Sequence, residues 1–363
     1  MTQPCPHYPL VEINLTYLRR NLVEFVEHCK AVGVNIAGVM KGLNGLPEAS
    51  RQFELAGCAQ VASSRLEQLA DAKAYGVQSP LLLLRIPMLT EVPRVVELAD
   101  YSLQSELAVI DAVEEECRRQ NKTHKVVVMA DLGDLREGFW DKDEMVDVCL
   151  HVEHDLPHVE LAGIGTNLGC YGSVRPTVAK FEELIGIARR IEEKIGRKLE
   201  IVSGGATSAY PFVDEKTIPA GINHLRLGGG AIITESMFVN WGLKDKSYLR
   251  TDVFTLKAEV VEVKEKPVSA EPIPATNNAT SGTAPLRRHA LLALGFTDVG
   301  NIERLLPRAA GVKVLGGSED YTILDITDCA DEVAPGTVME FDLNYTTMVF
   351  LTRAGKAAIQ YIE

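Results

Sequence analysis

Short apolar runs and amphipathic stretches alternate along the first two thirds of the chain. Eight apolar runs of strand length occur, and stretches with helical periodicity separate them. Eight strands joined by crossover helices favour a closed parallel barrel of the (β/α)8 TIM type over an open doubly wound sheet. The predicted strands cover residues 36–40, 60–63, 81–85, 101–104, 125–130, 160–165, 199–202 and 224–227.

The pattern changes near residue 248 to alternating apolar and polar positions, which is typical of β-strands with one solvated face. We therefore predict a barrel over residues 10–240 and a C-terminal β domain over 241–363, which residues 1–9 are expected to join. Residues 264–288 are rich in Pro, Ala, Thr, Ser and Asn and are predicted to form a long loop. The predicted strands of this domain are 253–263, 290–294, 322–326, 338–341 and 348–352.

Composition narrows the class of protein. The 363 residues exceed the ~250 that one core accommodates, and no run of eighteen apolar residues could cross a membrane. The seven cysteines show no metal-ligand spacing, so we expect reduced thiols and no metal site. A net charge of -13 argues against a nucleic-acid partner, and without a signal peptide a cytoplasmic location is expected.

Lys41 ends the first apolar run of the predicted barrel and is followed by Gly42. An amine at the mouth of a buried strand loses hydration, which lowers its pKa toward the range in which it acts as a nucleophile. Lys41 could thus form a Schiff base with an aldehyde. By itself the motif fits a solvated lysine equally well, so the other strand ends decide between the two interpretations.

Reactive groups of such barrels gather at the carboxyl ends of the strands, where the loops after strands seven and eight often hold phosphate. Small residues let backbone N–H groups approach an anion. A lysine, a phosphate site and no metal together suggest pyridoxal 5'-phosphate (PLP) as the cofactor. The residues expected to surround the phosphate are Ser203, Gly204, Gly205, Gly228, Gly229 and Gly230.

These residues lie in motifs that resemble the alanine racemase superfamily, PLP-dependent enzymes built from a barrel and a β domain. The resemblance extends over nearly the whole chain and is greatest to the ornithine racemase-like branch. The segment DLGDLREG is the most specific of the motifs. The matching stretches are AGVMK (37–41), DLGDLREG (131–138), GTNLGCYG (165–172), SGG (203–205), LRLG (225–228) and GGSED (316–320).

The resemblance implies a role for three residues. Lys41 would hold the cofactor and act as one acid/base, Arg136 would lie near the cofactor phenolic oxygen and the substrate carboxylate, and Arg226 would face the pyridine nitrogen. A guanidinium cannot give a proton to that nitrogen, because its pKa exceeds ~12. The ring then stays a weak electron sink, which favours proton exchange at Cα over decarboxylation.

The chain also departs from the family. Residues 264–278 lack the tyrosine that serves as the second acid/base in alanine racemases, and Thr166 and Asn167 replace a histidine found there in many of them. We predict Tyr171 as the second group, with Cys170, Tyr210 or a residue of a partner subunit as alternatives. Tyr345 is predicted to bind the phosphate.

The resemblance thus implies a homodimeric PLP-dependent racemase that interconverts L- and D-amino acids, with ornithine or another basic amino acid favoured. A carboxylate near the distal amine would come from the loop that carries Asp134, Glu137 and Asp141. Two alternatives remain open. The first is a one-base PLP-dependent lyase, aldolase or decarboxylase, and the second is a barrel that binds PLP without catalysis or binds no cofactor.

Overall fold

The computed structural model describes residues 7–171, 174–229, 240–245, 247–267, 285–353 and 355–363. The chain forms two compact units. One unit is Leu15–Thr251, and the other joins the described residues up to Asn14 with those from Asp252 onward. Strand β1 (Leu10–Asn14), which the sequence analysis placed in the barrel, therefore belongs to the second unit.

The unit Leu15–Thr251 contains a closed barrel of eight parallel strands, in which each strand pairs with the next and the last pairs with the first. All eight predicted strands are confirmed, as is the closed barrel. The strands are β2 (Asn35–Val39), β3 (Gln60–Ser63), β4 (Leu81–Leu83), β5 (Tyr101–Gln104), β6 (His124–Ala130), β7 (Val159–Thr166), β8 (Ile201–Ala206) and β9 (His224–Leu227).

Barrel strands form here because their side chains are buried on both faces, so β3, β4 and β5 read as continuous buried runs. The barrel core includes Val39, Leu103 and Met129. The helices of this unit are α1 (Leu15–Ala31), α2 (Pro47–Leu55), α3 (Leu66–Ala74), α4 (Val92–Leu98), α5 (Leu107–Gln120), α6 (Lys142–Asp155), α7 (Val178–Ile195) and α8 (Tyr210–Asp214).

Helix α1 is amphipathic. Its residues Leu18, Leu22, Phe25, Val26 and Cys29 are buried, and the helix packs against β2 and α2 on the outside of the barrel. In the part of the chain that the structure describes, no helix combines the length and the apolarity that crossing a bilayer requires.

The second unit is a largely antiparallel β domain. Its sheet has the order β12-β15-β10-β11-β14-β13, and β1 pairs antiparallel with β10 and parallel with β16. Among its described residues, two short helices accompany the sheet, α9 (Phe296–Val299) and α10 (Tyr345–Leu351). The strands are β10 (Phe254–Pro267), β11 (Leu286–Leu292), β12 (Leu306–Pro307), β13 (Lys313–Gly317), β14 (Thr322–Asp325), β15 (Val338–Asp342) and β16 (Ala358–Ile362).

Two predictions for this domain are wrong. Residues 348–352 were predicted as a strand but belong mostly to α10, because Asn344 caps the helix by accepting a hydrogen bond from the Thr347 N–H at 3.1 Å. The predicted loop 264–288 is shorter, since Lys264 pairs with His289 and Pro267 with Leu286 in a ladder. Residues 268–284 lie outside the described part.

Candidate active site

Lys41 lies in a single 3-10 turn, Met40–Leu43, that follows β2 directly at the carboxyl end of the barrel. Asn44 ends the turn in the left-handed region (φ 49°) and donates its N–H to the Lys41 carbonyl oxygen at 3.2 Å. Asparagine tolerates this conformation better than most residues. The turn therefore fixes the backbone from which the lysine side chain extends.

Lys41 is accessible to solvent, yet the protein around it changes its chemistry. Partial burial lowers its pKa. Among charged neighbours Cys170 acts most strongly and raises the pKa, whereas the guanidinium groups of Arg136 and Arg226 lower it and Glu137 raises it. The lowered pKa increases the fraction of neutral amine, which is the form that attacks an aldehyde. The structure thus brings Lys41 together with both predicted arginines.

The loop after β6 holds Arg136 in a fixed conformation. Asp131 accepts hydrogen bonds from the N–H groups of Gly133 and Leu135 at 2.8 and 3.1 Å, which closes the turn. The chain then returns so closely that a Cβ on Gly138 would lie 2.5 Å from the Asp131 nitrogen, at a φ of 135° that favours glycine. The DLGDLREG motif is therefore needed for this backbone path as well as for its arginine.

Arg136 is held between two carboxylates. Its guanidinium lies 2.8 Å from Glu137 Oε2 and 3.4 Å from Asp134 Oδ2. Glu137 also accepts a hydrogen bond from the Asn167 side chain at 2.8 Å, across to the loop after β7. These contacts orient the guanidinium and leave it 45% exposed, so its free N–H groups can reach a ligand.

Asp134 connects the loops after β6 and β7. Its side chain is only 2% exposed, and Oδ1 accepts the backbone N–H groups of Cys170 and Tyr171 at 3.1 and 3.3 Å. Both of those side chains remain exposed, and Tyr171 is 72% exposed. Asp134 thus fixes the backbone of Cys170 and Tyr171, the two exposed candidates for the second acid/base.

Arg226 lies inside the barrel and is 5% exposed. One guanidinium nitrogen donates to the Thr166 carbonyl oxygen, while its buried Nε has no hydrogen-bond partner among the described residues. Two positions earlier on β9, His224 bonds to Ser203 Oγ and Gln60 Oε1, each at 3.0 Å. Burial and the nearby Arg226 charge lower the pKa of His224 to about 3, so the histidine is neutral and the arginine carries the charge.

The loops after β8 and β9 meet at the same end of the barrel. Thr207 Oγ1 accepts the Gly228 N–H at 3.3 Å. A Cβ on Gly228 would lie 2.8 Å from the Val39 Cβ, so only glycine lets this loop approach the strand that leads to Lys41. Gly229 follows Gly228 half-buried, and Gly230 lies outside the described residues.

The predicted position of Ser203 and Gly204 beyond their strand is wrong. Both lie within β8, which continues to Ala206. The Ser203 hydroxyl bonds to His224, and a Cβ on Gly204 would meet the Ile222 side chain at 2.7 Å. Gly205, at a φ of 119°, is nearer the strand end. The hydroxyl groups that do follow β8 belong to Thr207 and Ser208.

The tyrosines divide between the two units. Tyr210 is buried against α1, where its hydroxyl bonds to His28 at 3.0 Å and to Tyr248 at 3.3 Å, so it does not reach the rim. Tyr345 is the first residue of α10 in the β domain, where burial raises its pKa. Its role at the phosphate stays a prediction.

Two residues of the site were missed as ligand-orienting groups, Asn167 and Thr207. The signal for both was a polar residue immediately after a buried strand. The three carboxylates predicted to bind a distal amine are all engaged in the protein. Asp134 and Glu137 hold Arg136, and Asp141 caps α6 by accepting the N–H of Asp143 at 2.8 Å.

The site fits PLP. The buried Nε–H of Arg226, which no other described residue engages, is the donor that an unprotonated pyridine nitrogen requires, and Lys41 offers an amine of lowered pKa. The Thr207 hydroxyl accepts the Gly228 N–H and can still donate its own hydrogen to a phosphate. A parallel barrel that combines these groups at one rim defines a class of PLP-dependent barrel enzymes.

Comparison with known proteins identifies the family. Residues 13–234 match the alanine racemase N-terminal domain, and the chain belongs to the alanine racemase family, whose cofactor is PLP. It is 34% identical to a lysine racemase of Thermotoga maritima, over 94% of this chain and 95% of the relative. It is 32% identical to an ornithine racemase of Acetoanaerobium sticklandii, over 94% and 96%.

The fold agrees with that assignment. The crystal structure of alanine racemase from Streptomyces lavendulae superimposes with a TM-score of 0.77, covering 99% of this chain and 98% of the other at 18% identity. At that identity the likeness concerns the fold alone. It includes both the barrel and the β domain.

Proposed function

We propose that this protein is a PLP-dependent racemase that interconverts the L- and D-forms of a basic amino acid, with lysine and ornithine as its substrates. The observation that carries the proposal is the similarity, over 94% of the chain, to a lysine racemase and an ornithine racemase. The enzyme acts in the cytoplasm and forms a homodimer. Size-exclusion chromatography with light scattering tests the homodimer.

When bound, PLP withdraws electrons from the substrate and makes the Cα proton acidic. Lys41 would hold the cofactor and, as a free amine, would take or return a proton at Cα. Its lowered pKa suits both tasks, because the neutral amine is the base and the ammonium is the acid. Lys41 is thus one of the two proton carriers that racemisation needs.

Two arginines favour proton exchange at the substrate Cα over decarboxylation. Arg226 would present its Nε–H, which has no partner among the described residues, to the pyridine nitrogen; a guanidinium gives up no proton, so the ring would stay a weak electron sink. Arg136, oriented by Glu137 and Asp134, binds the substrate carboxylate. A carboxylate held by a guanidinium is retained, so the arrangement favours proton exchange over decarboxylation.

The loops after β8 and β9 would hold the phosphate. Thr207 would donate its hydroxyl hydrogen and Gly229 its backbone N–H, since the Gly228 N–H is already bonded to Thr207 Oγ1 and the Ser208 hydroxyl to the Leu168 carbonyl oxygen. This assignment replaces Ser203 and Gly204, whose contacts lie within the barrel wall. A Thr207→Val variant is expected to bind PLP more weakly, because it keeps the volume and removes the hydroxyl.

A one-base lyase or decarboxylase is the second candidate function. It is favoured by one observation, that residues 264–278 contain no tyrosine to act as the second base of an alanine racemase. Such an enzyme would cleave or shorten its substrate instead of inverting it. The products of the reaction therefore separate the two functions.

The test incubates the PLP-loaded protein in D₂O with L-lysine, L-ornithine and L-alanine, followed by chiral chromatography and mass spectrometry. We expect D-lysine and D-ornithine that carry one deuterium at Cα, and little conversion of alanine. Fragments, CO₂ or recovery of the unchanged L-enantiomers would overturn the proposal. Lys41→Ala should abolish both the product and the visible absorption of bound PLP, whereas Lys198→Ala, on the barrel exterior, should change neither.

A further inference from the structure

Racemisation requires a second group that exchanges a proton on the face of Cα opposite Lys41. Within the barrel unit the sequence offered Tyr171, Cys170 and Tyr210. Tyr210 is excluded, because its hydroxyl is bonded to His28 and Tyr248 beneath α1. The choice therefore lies between two neighbouring residues on the segment that follows β7.

That segment is fixed at four successive points. The Asn167 side chain donates to Glu137, and the Leu168 carbonyl oxygen accepts the Ser208 hydroxyl at 2.5 Å. Gly169 adopts a φ of 80°, and a Cβ there would lie 2.8 Å from the Trp241 ring. Asp134 then accepts the N–H of Cys170 at 3.1 Å. The thiol of Cys170 accordingly projects from a backbone whose position is set by the protein.

Cys170 lies beside the charged side chains already described, because Asp134 accepts its backbone N–H at 3.1 Å and also lies 3.4 Å from the Arg136 guanidinium. Its segment begins at Thr166, whose carbonyl oxygen accepts a guanidinium N–H of the buried Arg226. A negative charge on this sulfur raises the pKa of both Lys41 and Arg226, and in each case it is the strongest of the charged neighbours. The buried Nε of Arg226 has no hydrogen-bond partner among the described residues, which indicates that a ligand binds beside Arg226.

We infer that the thiol of Cys170 is the second acid/base of the reaction and exchanges its proton with the substrate Cα opposite Lys41. The inference rests on the racemase function proposed above. It assigns to this chain's own barrel the task that a tyrosine after the first strand of the β domain would otherwise perform. Tyr171 loses that role.

The proton balance is simple. In one direction the neutral amine of Lys41 takes the Cα proton, the S–H bond of Cys170 breaks, and a C–H bond forms on the other face of Cα. The sulfur is left as a thiolate and Lys41 as an ammonium. In the other direction the thiolate takes the Cα proton and the ammonium of Lys41 returns one, so neither an oxidant nor a further reactant is needed.

The first test uses the cofactor-free protein and measures no turnover. Reductive methylation of Lys41 with formaldehyde is followed across pH by peptide mass spectrometry in the wild type, Cys170→Ser and Cys329→Ser. We expect the half-maximal pH to fall in Cys170→Ser, with about two- to tenfold faster methylation at a fixed pH below it, because the charge that raises the pKa of Lys41 is removed. Cys329, half-buried in the β domain, serves as the matched control.

The second test measures the two half-reactions. The wild type, Cys170→Ser, Cys170→Ala, Tyr171→Phe and Cys329→Ser are loaded with PLP and incubated in D₂O with either enantiomer of ornithine. We expect both Cys170 variants to lose racemisation by about 10²-fold or more, while deuterium still enters the one enantiomer whose Cα proton Lys41 removes. Cys329→Ser should behave as the wild type.

The outcomes separate the two proposals. A wild type that racemises no basic amino acid overturns the proposed function and, with it, the role of Cys170. If the wild type racemises ornithine but the Cys170 variants do so equally well, or Tyr171→Phe shows the one-sided loss instead, the inference about Cys170 alone is overturned. An unchanged methylation profile in Cys170→Ser overturns it as well.

Discussion

Replacement of Asp134 by alanine tests whether the loops after β6 and β7 act together. The side chain is 2% exposed and accepts two backbone N–H groups, from Cys170 and Tyr171 at 3.1 and 3.3 Å, while its second oxygen lies 3.4 Å from Arg136. Alanine removes all three contacts. It also frees the segment that carries Cys170.

The expected loss follows from these distances. Each N–H bond is long, so each contributes about 1 kcal/mol, and the half-exposed Arg136 pair contributes no more than about 1 kcal/mol. We therefore expect Asp134→Ala to lower the free energy of unfolding by about 2 to 3 kcal/mol. Asp134→Asn keeps an acceptor oxygen and should lose about 1 kcal/mol.

The effect on catalysis should be larger than the effect on stability. Loosening of Arg136 and Cys170 would move the groups proposed to bind the carboxylate and to carry the proton, and a misplacement of about 1 Å costs roughly 10²-fold in rate. We expect kcat/KM for ornithine to fall by about 10- to 100-fold in Asp134→Ala. Asp141→Ala is the matched control, since Asp141 also accepts two backbone N–H groups but caps an outer helix.

Two measurements decide the matter, urea-induced unfolding followed by circular dichroism and steady-state racemisation of ornithine. Asp141→Ala should lose about 1 kcal/mol, as is usual for a helix cap, and keep its kcat/KM. The reasoning is refuted if Asp134→Ala is no less stable than Asp141→Ala and racemises ornithine at the wild-type rate.

Three further predictions concern stability. Burial lowers the pKa of His124 to about 4 in the folded protein, whereas the unfolded chain binds that proton near pH 6.5, so stability should fall as pH drops from about 6.5 to 4. His124→Gln should reduce this loss by up to roughly 3 kcal/mol in urea titrations at several pH values, and an unchanged pH dependence of the free energy of unfolding would contradict the prediction. Asn344→Ala removes the cap of α10 and should cost about 0.5–2 kcal/mol by thermal unfolding, while Asn344→Asp should cost little; equal losses would speak against the cap. Gly138→Ala should be much less stable than Gly133→Ala. Both positions have a positive φ, but an added Cβ would lie 2.5 Å from backbone at Gly138 and no closer than 3.7 Å to any atom at Gly133. Equal unfolding midpoints would show that the loop backbone shifts to accommodate the methyl group.

Several features of the fold could be predicted because they depend on local periodicity. Strands of a parallel barrel are buried on both faces, so β4 and residues 126–130 of β6 are uninterrupted apolar runs that a sequence displays directly. The exceptions have local causes too. The run 348–352 has the composition of a strand, but the Asn344 cap and the packing of its apolar side chains fix it as α10.

The position of Ser203 and Gly204 could not be predicted, because glycines after an apolar run suggest a loop. Here β8 continues through them with an irregular register against β9, and the missing side chain of Gly204 makes room for Ile222. The close approach of Gly228 to Val39 is likewise a contact between distant segments. Such contacts leave no periodic trace in the sequence.

The sequence alone determined the barrel, the lysine at its first strand end, the two arginines and the cofactor that such a set of groups accepts, because each depends on residue type and on order along the chain. The tertiary structure decided which of these groups meet. Closure of the barrel joins strands that are distant in sequence, so Lys41 comes near Arg226 and Cys170. For the same reason Ser203 is buried against His224, and Asp134 accepts the backbone N–H of Cys170. Proximity across a closed sheet is a property of the whole chain, which no local pattern specifies.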